Sequence, residues 1–184
     1  MLRISYLLLV IVLLFSCQKQ KQSKAEAVGG NEMKIKIAST TFGEGEMIPK
    51  KYTCDGEDIS PPLAFNDVPE SAKTLALVCD DPDAPMGTWV HWVVFNLPGE
   101  IRGITEATKS DDIEKLGGKQ GINSFRKNDY GGPCPPSGTH RYYFKVYALD
   151  TKLELSSTAT KEELLKAMKG HILREGQLMG RYSR

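Results

Sequence analysis

Alternating polar and apolar residues identify the first strand-like segment in the body of the chain. Residues 34–39 (KIKIAS) place Ile35 and Ile37 on one face, which predicts a half-buried β-strand. Three more runs are rich in β-branched and aromatic residues and are bounded by Asp, Pro or Gly, as strands commonly are. They are residues 74–79 (TLALVC), 88–97 (TWVHWVVFNL) and 141–149 (RYYFKVYAL).

The run at residues 88–97 is apolar on both faces of the predicted strand. Strict alternation puts Trp89, His91, Val93 and Phe95 on one face and Val90, Trp92, Val94 and Asn96 on the other. A strand with two apolar faces is typical of the centre of a sheet that is covered on both sides. We therefore expect this strand to be central.

Helix signals are few. A Thr-x-x-Glu capping box at Thr160 and Glu163 opens KEELLKAMK, and Gly170 is placed to end that helix. Residues 111–116 predict a short helical turn, and residues 43–67, interrupted by Pro and Asp-Gly, predict loops with short strands. The pattern as a whole predicts a mostly β sandwich with peripheral helix.

The N-terminal region reads as a targeting segment. Residues 6–15 form an unbroken apolar run of ten after Arg3, too short for the about 20 residues of a membrane-spanning helix but suited to a secretory signal. The segment LFSC resembles a bacterial lipobox, which predicts a signal peptide at residues 1–16 and lipidation of Cys17. A plain signal peptide cut nearby is the alternative. Residues 17–32 are polar and basic and predict a flexible tether.

These features predict an exported lipoprotein of the bacterial cell envelope, held to the membrane by acyl chains such as palmitate. Gln18 is not the inner-membrane retention residue Asp, which favours the outer membrane. The folded domain is expected at residues 33–184. The whole chain has a formal net charge of +1 and shows no basic cluster, which argues against nucleic acid as a partner.

The residues that could bind a ligand or take part in catalysis are concentrated in and next to two loops that proline makes rigid. The first, DDPDAP at residues 80–85, precedes the strand that carries His91, and the second, YGGPCPPSGTH at residues 130–140, ends on His140. Proline fixes the backbone and glycine permits a close approach to a ligand, so two such loops make a plausible pocket rim. The third histidine, His171, follows the predicted helix, and we assign it a structural or exposed role.

DPDAP followed by Trp-x-His-Trp, together with GPCPPSG-x-HRY, resembles the phosphatidylethanolamine-binding protein family in its bacterial Raf-kinase-inhibitor-like branch. The resemblance extends from about Met33 to the closing LMGRY. It implies a β-sandwich of two antiparallel sheets with one or two peripheral helices, and a small cavity for phosphate or a phospholipid headgroup. It implies binding without catalysis, cofactor or metal. The ligand-binding residues that it carries over are Asp81, Asp83, Trp89, His91, Gly132, Pro133, His140 and Tyr142, with Asp83 and Trp89 supporting.

Asp81 is unexpected in an anion site, because a carboxylate repels phosphate. The conflict disappears if Asp81 pairs with an imidazole and favours its positively charged form, which then donates to the ligand. Anion affinity should in that case rise as pH falls from about 8 to 6. A turn-capping side chain is the other interpretation of Asp81.

The remaining cysteines leave a choice open. Cys79 lies in an apolar strand and is most simply a small buried residue. Cys54 and Cys134 both lie in loops, and a disulfide between them is one alternative in an oxidising compartment.

Other functions stay open as well. The family resemblance also implies a second reading, an inhibitor of a protein partner of the protease or kinase type that uses the pocket rim. A hydrolase would use Cys134 with a histidine and an aspartate, but no helix N-terminus follows Cys134 to activate it. A metal site at His91 and His140 has no HxxxH or CxxC spacing to support it.

Overall fold

The computed structural model describes residues 34–184, so the predictions for the signal peptide, Cys17 and the tether lie outside the described residues. Two helices are described, and neither is long and apolar enough to cross a membrane. The strands are β1 (Lys36–Ala38), β2 (Leu63–Asn66), β3 (Thr74–Asp81), β4 (Trp89–Pro98), β5 (Gly103–Ile104), β6 (Lys119–Gln120), β7 (Thr139–Leu149) and β8 (Ile172–Ser183). The helices are α1 (Ser110–Lys115) and α2 (Lys161–Met168), and Lys50–Tyr52 forms a short 3-10 helix.

The strands form two sheets in which every neighbouring pair is antiparallel. A three-stranded sheet has the order β1-β2-β5, and a five-stranded sheet has the order β6-β4-β3-β7-β8. The main hydrophobic cluster draws Ile37 and Phe65 from the small sheet and Leu77 and Phe144 from the large one. The predicted mostly β sandwich of two antiparallel sheets with peripheral helices is confirmed.

The large sheet is covered on both faces. Its second face carries a separate cluster in which Val78 and Phe95 pack with Leu164 and Met168 of α2. Consequently β3 is buried along its whole length, and β4 lies between β3 and β6 as a central strand. The prediction of a central strand with two apolar faces is correct.

Strict alternation along β4 is wrong near both ends of the strand. Near its end, the pairing with β3 shifts between Val94 and Leu97, and Asn96, predicted on the face of Val94, donates to the Leu153 carbonyl of the α2 cluster.

Near the start of β4, the pairing with β3 jumps between Trp92 and Val90, so His91 is an extra residue in a β-bulge. The rings of His91 and Trp92 contact tyrosines of the same main cluster, Tyr142 at 5.2 Å and Tyr130 at 5.4 Å between centroids. Because of the bulge, His91 is on the Trp92 side of the sheet and not on the side of the α2 cluster.

The last strand was not predicted, although β8 pairs with β7 along nearly its whole length. Charged residues and two glycines interrupt its apolar pattern. Gly176 allows close approach, because a Cβ there would lie 1.8 Å from the Ile35 carbonyl oxygen. The outer edge of β8 is covered by an earlier segment, whose Gly45 and Ile48 amides donate to β8 carbonyls at 2.7 Å. Such cover protects an otherwise open sheet edge.

The two predicted helices are present. Thr160 and Glu163 form the predicted capping box, and Gly170, at φ +85°, follows the end of α2. Helix α2 is also tied to the sheet by charge, because Lys161 and Lys145 both pair with Asp80, which is 1% exposed. Two ammonium groups compensate the cost of burying this carboxylate.

Thr160→Ala should lower the free energy of unfolding by about 1 kcal/mol, because it removes the acceptor for the Glu163 amide. Chemical denaturation measures the change. Thr158→Ala is the matched control, since the Thr158 hydroxyl bonds only to exposed Ser156. An equal loss in the two variants would contradict the role of the cap.

Candidate functional site

A cavity of about 240 Å³ opens between the loop that follows β3 and the segment that precedes β7. Three of the residues predicted from sequence line it, namely Asp81, Trp89 and His91. The full lining is Asp81, Ala84, Pro85, Trp89, His91, Phe125, Cys134 and Pro136. The two stiff loops identified in the sequence therefore meet at one cavity.

Asp81 and His140 form a buried hydrogen-bonded pair. His140 Nδ1 lies 2.7 Å from Asp81 Oδ2, and the residues are 8% and 3% exposed. The other oxygen, Asp81 Oδ1, accepts the Asp83 amide at 2.8 Å. The carboxylate therefore caps the turn and orients an imidazole at the same time, which combines the two interpretations of Asp81.

His91 is held by the second loop. Its Nδ1 lies 2.7 Å from the Gly131 carbonyl oxygen, so Nδ1 carries the hydrogen and donates. Burial lowers the pKa of His91 and outweighs the hydrogen bond to Gly131 and the nearby Asp81 charge. The ring also meets Phe125 and Tyr142 edge-on at 5.4 and 5.2 Å. His91 is thus a fixed, neutral imidazole with Nε2 as its remaining polar atom.

The glycine-proline loop does not offer the free amides that an anion site would use. The Gly132 amide donates to Asp58 Oδ1 at 2.6 Å, and the Pro133 carbonyl accepts the Cys54 amide at 3.1 Å. A Cβ at Gly132 would lie 2.6 Å from the Tyr52 carbonyl oxygen, so only glycine fits. These two predicted residues support the cavity wall.

The structure joins Cys54 and Cys134 in a disulfide with a Cα–Cα distance of 5.5 Å. The bond links a cavity-lining residue to a segment 80 positions earlier in the chain. Cys79 is free and buried, and burial raises the pKa of its thiol. The bridge therefore fixes the same wall that Gly132 and Asp58 hold by hydrogen bonding.

Asp83 faces Arg141 and not the cavity. Arg141 donates to it from Nε at 2.8 Å, from Nη2 at 2.6 Å and from its amide at 3.0 Å. These hydrogen bonds lower the pKa of Asp83 to about 2. The pair fastens the loop after β3 to β7.

Tyr142 lies behind the cavity wall and is fully buried. Its hydroxyl has no hydrogen-bond partner within residues 34–184. Burial, together with the nearby Asp81 charge, raises the pKa of Tyr142 well above its usual value. The hydroxyl stays protonated and is an unused donor.

Two residues of the site were missed from sequence, Phe125 and Asn123. Phe125 lines the cavity and meets Trp89 edge-on at 5.4 Å. Asn123 holds the Phe125 loop, because its Oδ1 accepts the Phe125 and Lys127 amides at 3.0 Å and its Nδ2 donates to the Asp129 carbonyl at 2.7 Å. The stretch NSFRKN indicates a turn, but nothing local indicates which cavity the turn closes.

Other groups lie apart from this site. His171 is exposed and pairs with Asp150 at 2.8 Å, in agreement with a structural role. A larger cavity of about 430 Å³ lies between β4 and α2, and its lining contains none of the residues predicted as ligand contacts. Among the described residues, no group of three or more His, Cys, Asp or Glu is placed to hold a metal ion.

Known proteins place the chain in one family. The sequence profile described as "Phosphatidylethanolamine-binding protein" matches residues 38–183. A UPF0098 protein of Methanothermobacter thermautotrophicus is 49% identical over 150 residues, which are 82% of this chain and 99% of that protein. A UPF0098 protein of Aquifex aeolicus is 46% identical over 157 residues, covering 82% and 89% of the two chains.

Two solved structures agree with this assignment. The putative phosphatidylethanolamine-binding protein homologue CT736 of Chlamydia trachomatis has a TM-score of 0.76 and 43% identity, covering 82% of this chain and 98% of its own. YbcL of E. coli, described as a new member of the mammalian PEBP family, has a TM-score of 0.77 and 29% identity, covering 83% and 99%.

The chain belongs to the phosphatidylethanolamine-binding protein family, and the resemblance inferred from its motifs is confirmed. Because nearly all of the chlamydial chain is matched, the fold forms without a counterpart of most of the first 33 residues. Experiments on the site can therefore use residues 33–184, referred to below as the domain.

The disulfide predicts a specific thiol count. Unfolded domain should show one free thiol, that of Cys79, without reductant and three after reduction. The Cys79→Ala variant, which keeps the bridge, should show no free thiol without reductant and two free thiols after reduction. Three thiols in both wild-type samples would reject the bridge. Reduction should also lower the free energy of unfolding by about 2–5 kcal/mol, measured with denaturant.

Proposed function

We propose that the protein is a non-catalytic binding protein whose small cavity holds an anion, namely phosphate or a phospholipid headgroup. The observation that carries the proposal is the buried Asp81–His140 pair beside the neutral His91. The carboxylate fixes the orientation of the His140 imidazole and supplies the negative charge with which a protonated ring would pair. His140 does not itself line the cavity and is joined to it through Asp81, which does. With Nδ1 committed to Asp81, the hydrogen on Nε2 of a charged ring is the one left to donate to a ligand.

The positive charge that attracts the anion would come from a protonated histidine. No Lys or Arg lines the cavity among the described residues. Two guanidinium groups lie close to the loops, and both are paired with carboxylates: Arg141 with Asp83, and Arg184, which contacts Cys134, with Asp55. An anion would therefore bind through a protonated imidazole and not through a permanent cation.

The absence of catalysis is part of the proposal. The hydrolase alternative needs a free Cys134 thiolate, and the Cys134 sulfur is bonded to Cys54. No described helix begins next to Cys134 to activate a nucleophile. These observations favour binding over covalent chemistry.

Contact with a protein partner is the second candidate function. Large apolar side chains surround the cavity mouth: Met86 is 97% exposed, Trp89 37% and Phe125 36%. Exposed apolar groups that cluster at a rim favour contact with another molecule. A rim that only contacts a protein does not require the cavity to bind an anion, so the titration described next separates the two candidates.

Phosphate should bind the domain more tightly as pH falls from 8 to 6, by up to about tenfold per pH unit while one proton is taken up. The sign follows because the charged imidazole donates and the neutral one does not. Isothermal titration calorimetry measures the affinity. Asp81→Asn should weaken binding at pH 6 by roughly tenfold and flatten the profile.

Asp111→Asn is the matched control, because Asp111 is exposed on α1 and away from the cavity lining. The pH dependence of phosphate affinity in this variant should equal that of the wild-type domain. A flat wild-type titration would contradict the His–Asp account, and no phosphate binding at either pH would reject the anion pocket.

We also propose that the full chain is an exported bacterial lipoprotein, anchored through Cys17 and most simply in the outer membrane. The support is the LFSC sequence after an apolar run, with Gln18 next to the cysteine. Radiolabelled palmitate should label the full chain in bacterial cells and should not label Cys17→Ala. Equal labelling would place the lipid elsewhere, and no labelling of either would reject the anchor.

A further inference from the structure

The disulfide lies near the surface of the domain and belongs to the cavity wall. Cys54 and Cys134 are both partly exposed, and Cys134 lines the cavity. Exposed disulfides are, as a class, more readily reduced than buried ones, because a thiolate must reach one of the two sulfurs. This bond can therefore meet a reductant while the sandwich stays folded.

A guanidinium contacts one of the two sulfurs. Arg184 directs Nη1 at Cys134 Sγ, at 3.5 Å, and Nη2 at Asp55 Oδ1, at 2.8 Å. The other oxygen of Asp55 accepts the Tyr182 hydroxyl at 2.9 Å, which fixes the carboxylate that holds the guanidinium. Within residues 34–184, no hydrogen bond reaches Cys54 Sγ. The two ends of the disulfide are therefore chemically unequal.

The charged groups around Cys134 come from several elements. Asp81 at the end of β3 lines the same cavity, and its carboxylate is hydrogen-bonded to His140 of β7. Asp55, from the segment after the 3-10 helix, is paired with Arg184. Both carboxylates thus have partners, whereas the guanidinium donates directly to the Cys134 sulfur. A positive neighbour lowers the pKa of a thiol, and the thiol with the lower pKa leaves a disulfide faster.

Hydrogen bonds that do not involve sulfur also hold the two linked segments together. The Cys54 amide donates to the Pro133 carbonyl at 3.1 Å, and the Gly132 amide donates to Asp58 Oδ1 at 2.6 Å. These contacts can persist when the sulfur–sulfur bond is broken. The two thiols then stay close to each other, so the bond can form again without refolding of the domain.

We propose that the Cys54–Cys134 bond is a site of thiol–disulfide exchange with a dithiol. A thiolate of the dithiol forms a bond to Cys54 Sγ, the Cys54–Cys134 bond breaks, and its electron pair leaves on Cys134 Sγ as a thiolate beside Arg184. The second thiol of the dithiol loses its proton to water, attacks its own partner sulfur in the mixed disulfide and releases Cys54, which takes up a proton. The dithiol is oxidised to a disulfide, and the protein disulfide is reduced to a thiol and a thiolate.

The exchange changes the cavity wall. In the oxidised protein, Cys134 is tied to a residue 80 positions earlier in the chain. In the reduced protein this tie is absent, and a negative sulfur joins Asp81 in the lining of the cavity. The inference concerns the redox state of the wall and does not depend on the proposed binding of an anion.

Alkylation of the reduced domain tests the inequality of the two sulfurs. The Cys79→Ala variant is used, so that only the two bridge cysteines react. Iodoacetamide labelling from about pH 5 to 10, followed by peptide mass spectrometry, gives a pKa for each thiol. The pKa of Cys134 should lie about one unit below that of Cys54. Equal pKa values would overturn the assignment of Cys134 as the leaving group.

In the same background, Arg184→Gln should raise the pKa of Cys134 by about one unit and leave that of Cys54 unchanged, whereas Arg184→Lys, which keeps the charge, should keep the pKa of Cys134 low. Arg174→Gln is the matched control, because Arg174 of β8 donates to the Asp67 carbonyl and does not line the cavity. It should leave both pKa values unchanged. An unchanged pKa of Cys134 in folded Arg184→Gln would overturn the role of the guanidinium. If circular dichroism shows that this variant is unfolded, the comparison of the two cysteines decides alone.

The direction of attack is tested on the oxidised wild-type domain. Brief reaction with glutathione, an acid quench and mass spectrometry locate the mixed disulfide, which should form on Cys54 and leave Cys134 free. Glutathione found on Cys134 instead would overturn the proposed direction. Circular dichroism during reduction by dithiothreitol should show a folded domain, and reduction that occurs only after unfolding would overturn the exchange site itself.

The source of the dithiol is identified by comparing two reductants. Reduced thioredoxin and dithiothreitol are added to the oxidised domain at equal concentration, and the release of thiols is followed over time. A rate at least about tenfold higher with thioredoxin supports a protein dithiol, whereas equal rates support a small-molecule thiol.

Discussion

The position of β3 between β4 and β7, buried on both faces, is the constraint on which the site depends. A central strand fixes both neighbours by backbone hydrogen bonds, so side chains at the ends of three adjacent strands keep constant separations. Asp81 ends β3, His91 comes from β4 and His140 from β7. Burial of roughly eight residues of β3 thus stabilises the core and sets the geometry of the cavity.

Three carboxylates lie within four positions of this strand end, and each pairs with different side chains. Asp80 turns to Lys145 and Lys161 beneath α2, Asp81 to His140, and Asp83 to Arg141 at the surface. Alternation along the strand sends Asp80 and Asp81 to opposite faces. The dense charge is therefore compatible with burial, because no two of these groups share a partner.

Much of the fold could be predicted from sequence, because apolar alternation, capping and proline placement act locally. The central strand, α2 and its cap, and the meeting of the two loops are examples. The exceptions depend on distant partners. Gly176 makes sense only beside the Ile35 carbonyl, the Gly132 amide only beside Asp58, and Phe125 only beside Trp89. The family motifs named three of the residues that line the cavity, Asp81, Trp89 and His91, but they did not reveal which hydrogen-bond donors were already in use.

The bulge at His91 divides β4 into two parts with different periodicity. From Trp92 to Phe95, alternation serves the two hydrophobic clusters, whereas Trp89 and His91 face the cavity only because one extra residue shifts the phase of the strand. A strand without it would carry His91 into the α2 cluster. The bulge therefore separates the part of β4 that forms the cavity rim from the part that packs in the core. Substitutions at Trp89 or His91 can alter ligand preference while the side chains of the sandwich interior keep their positions.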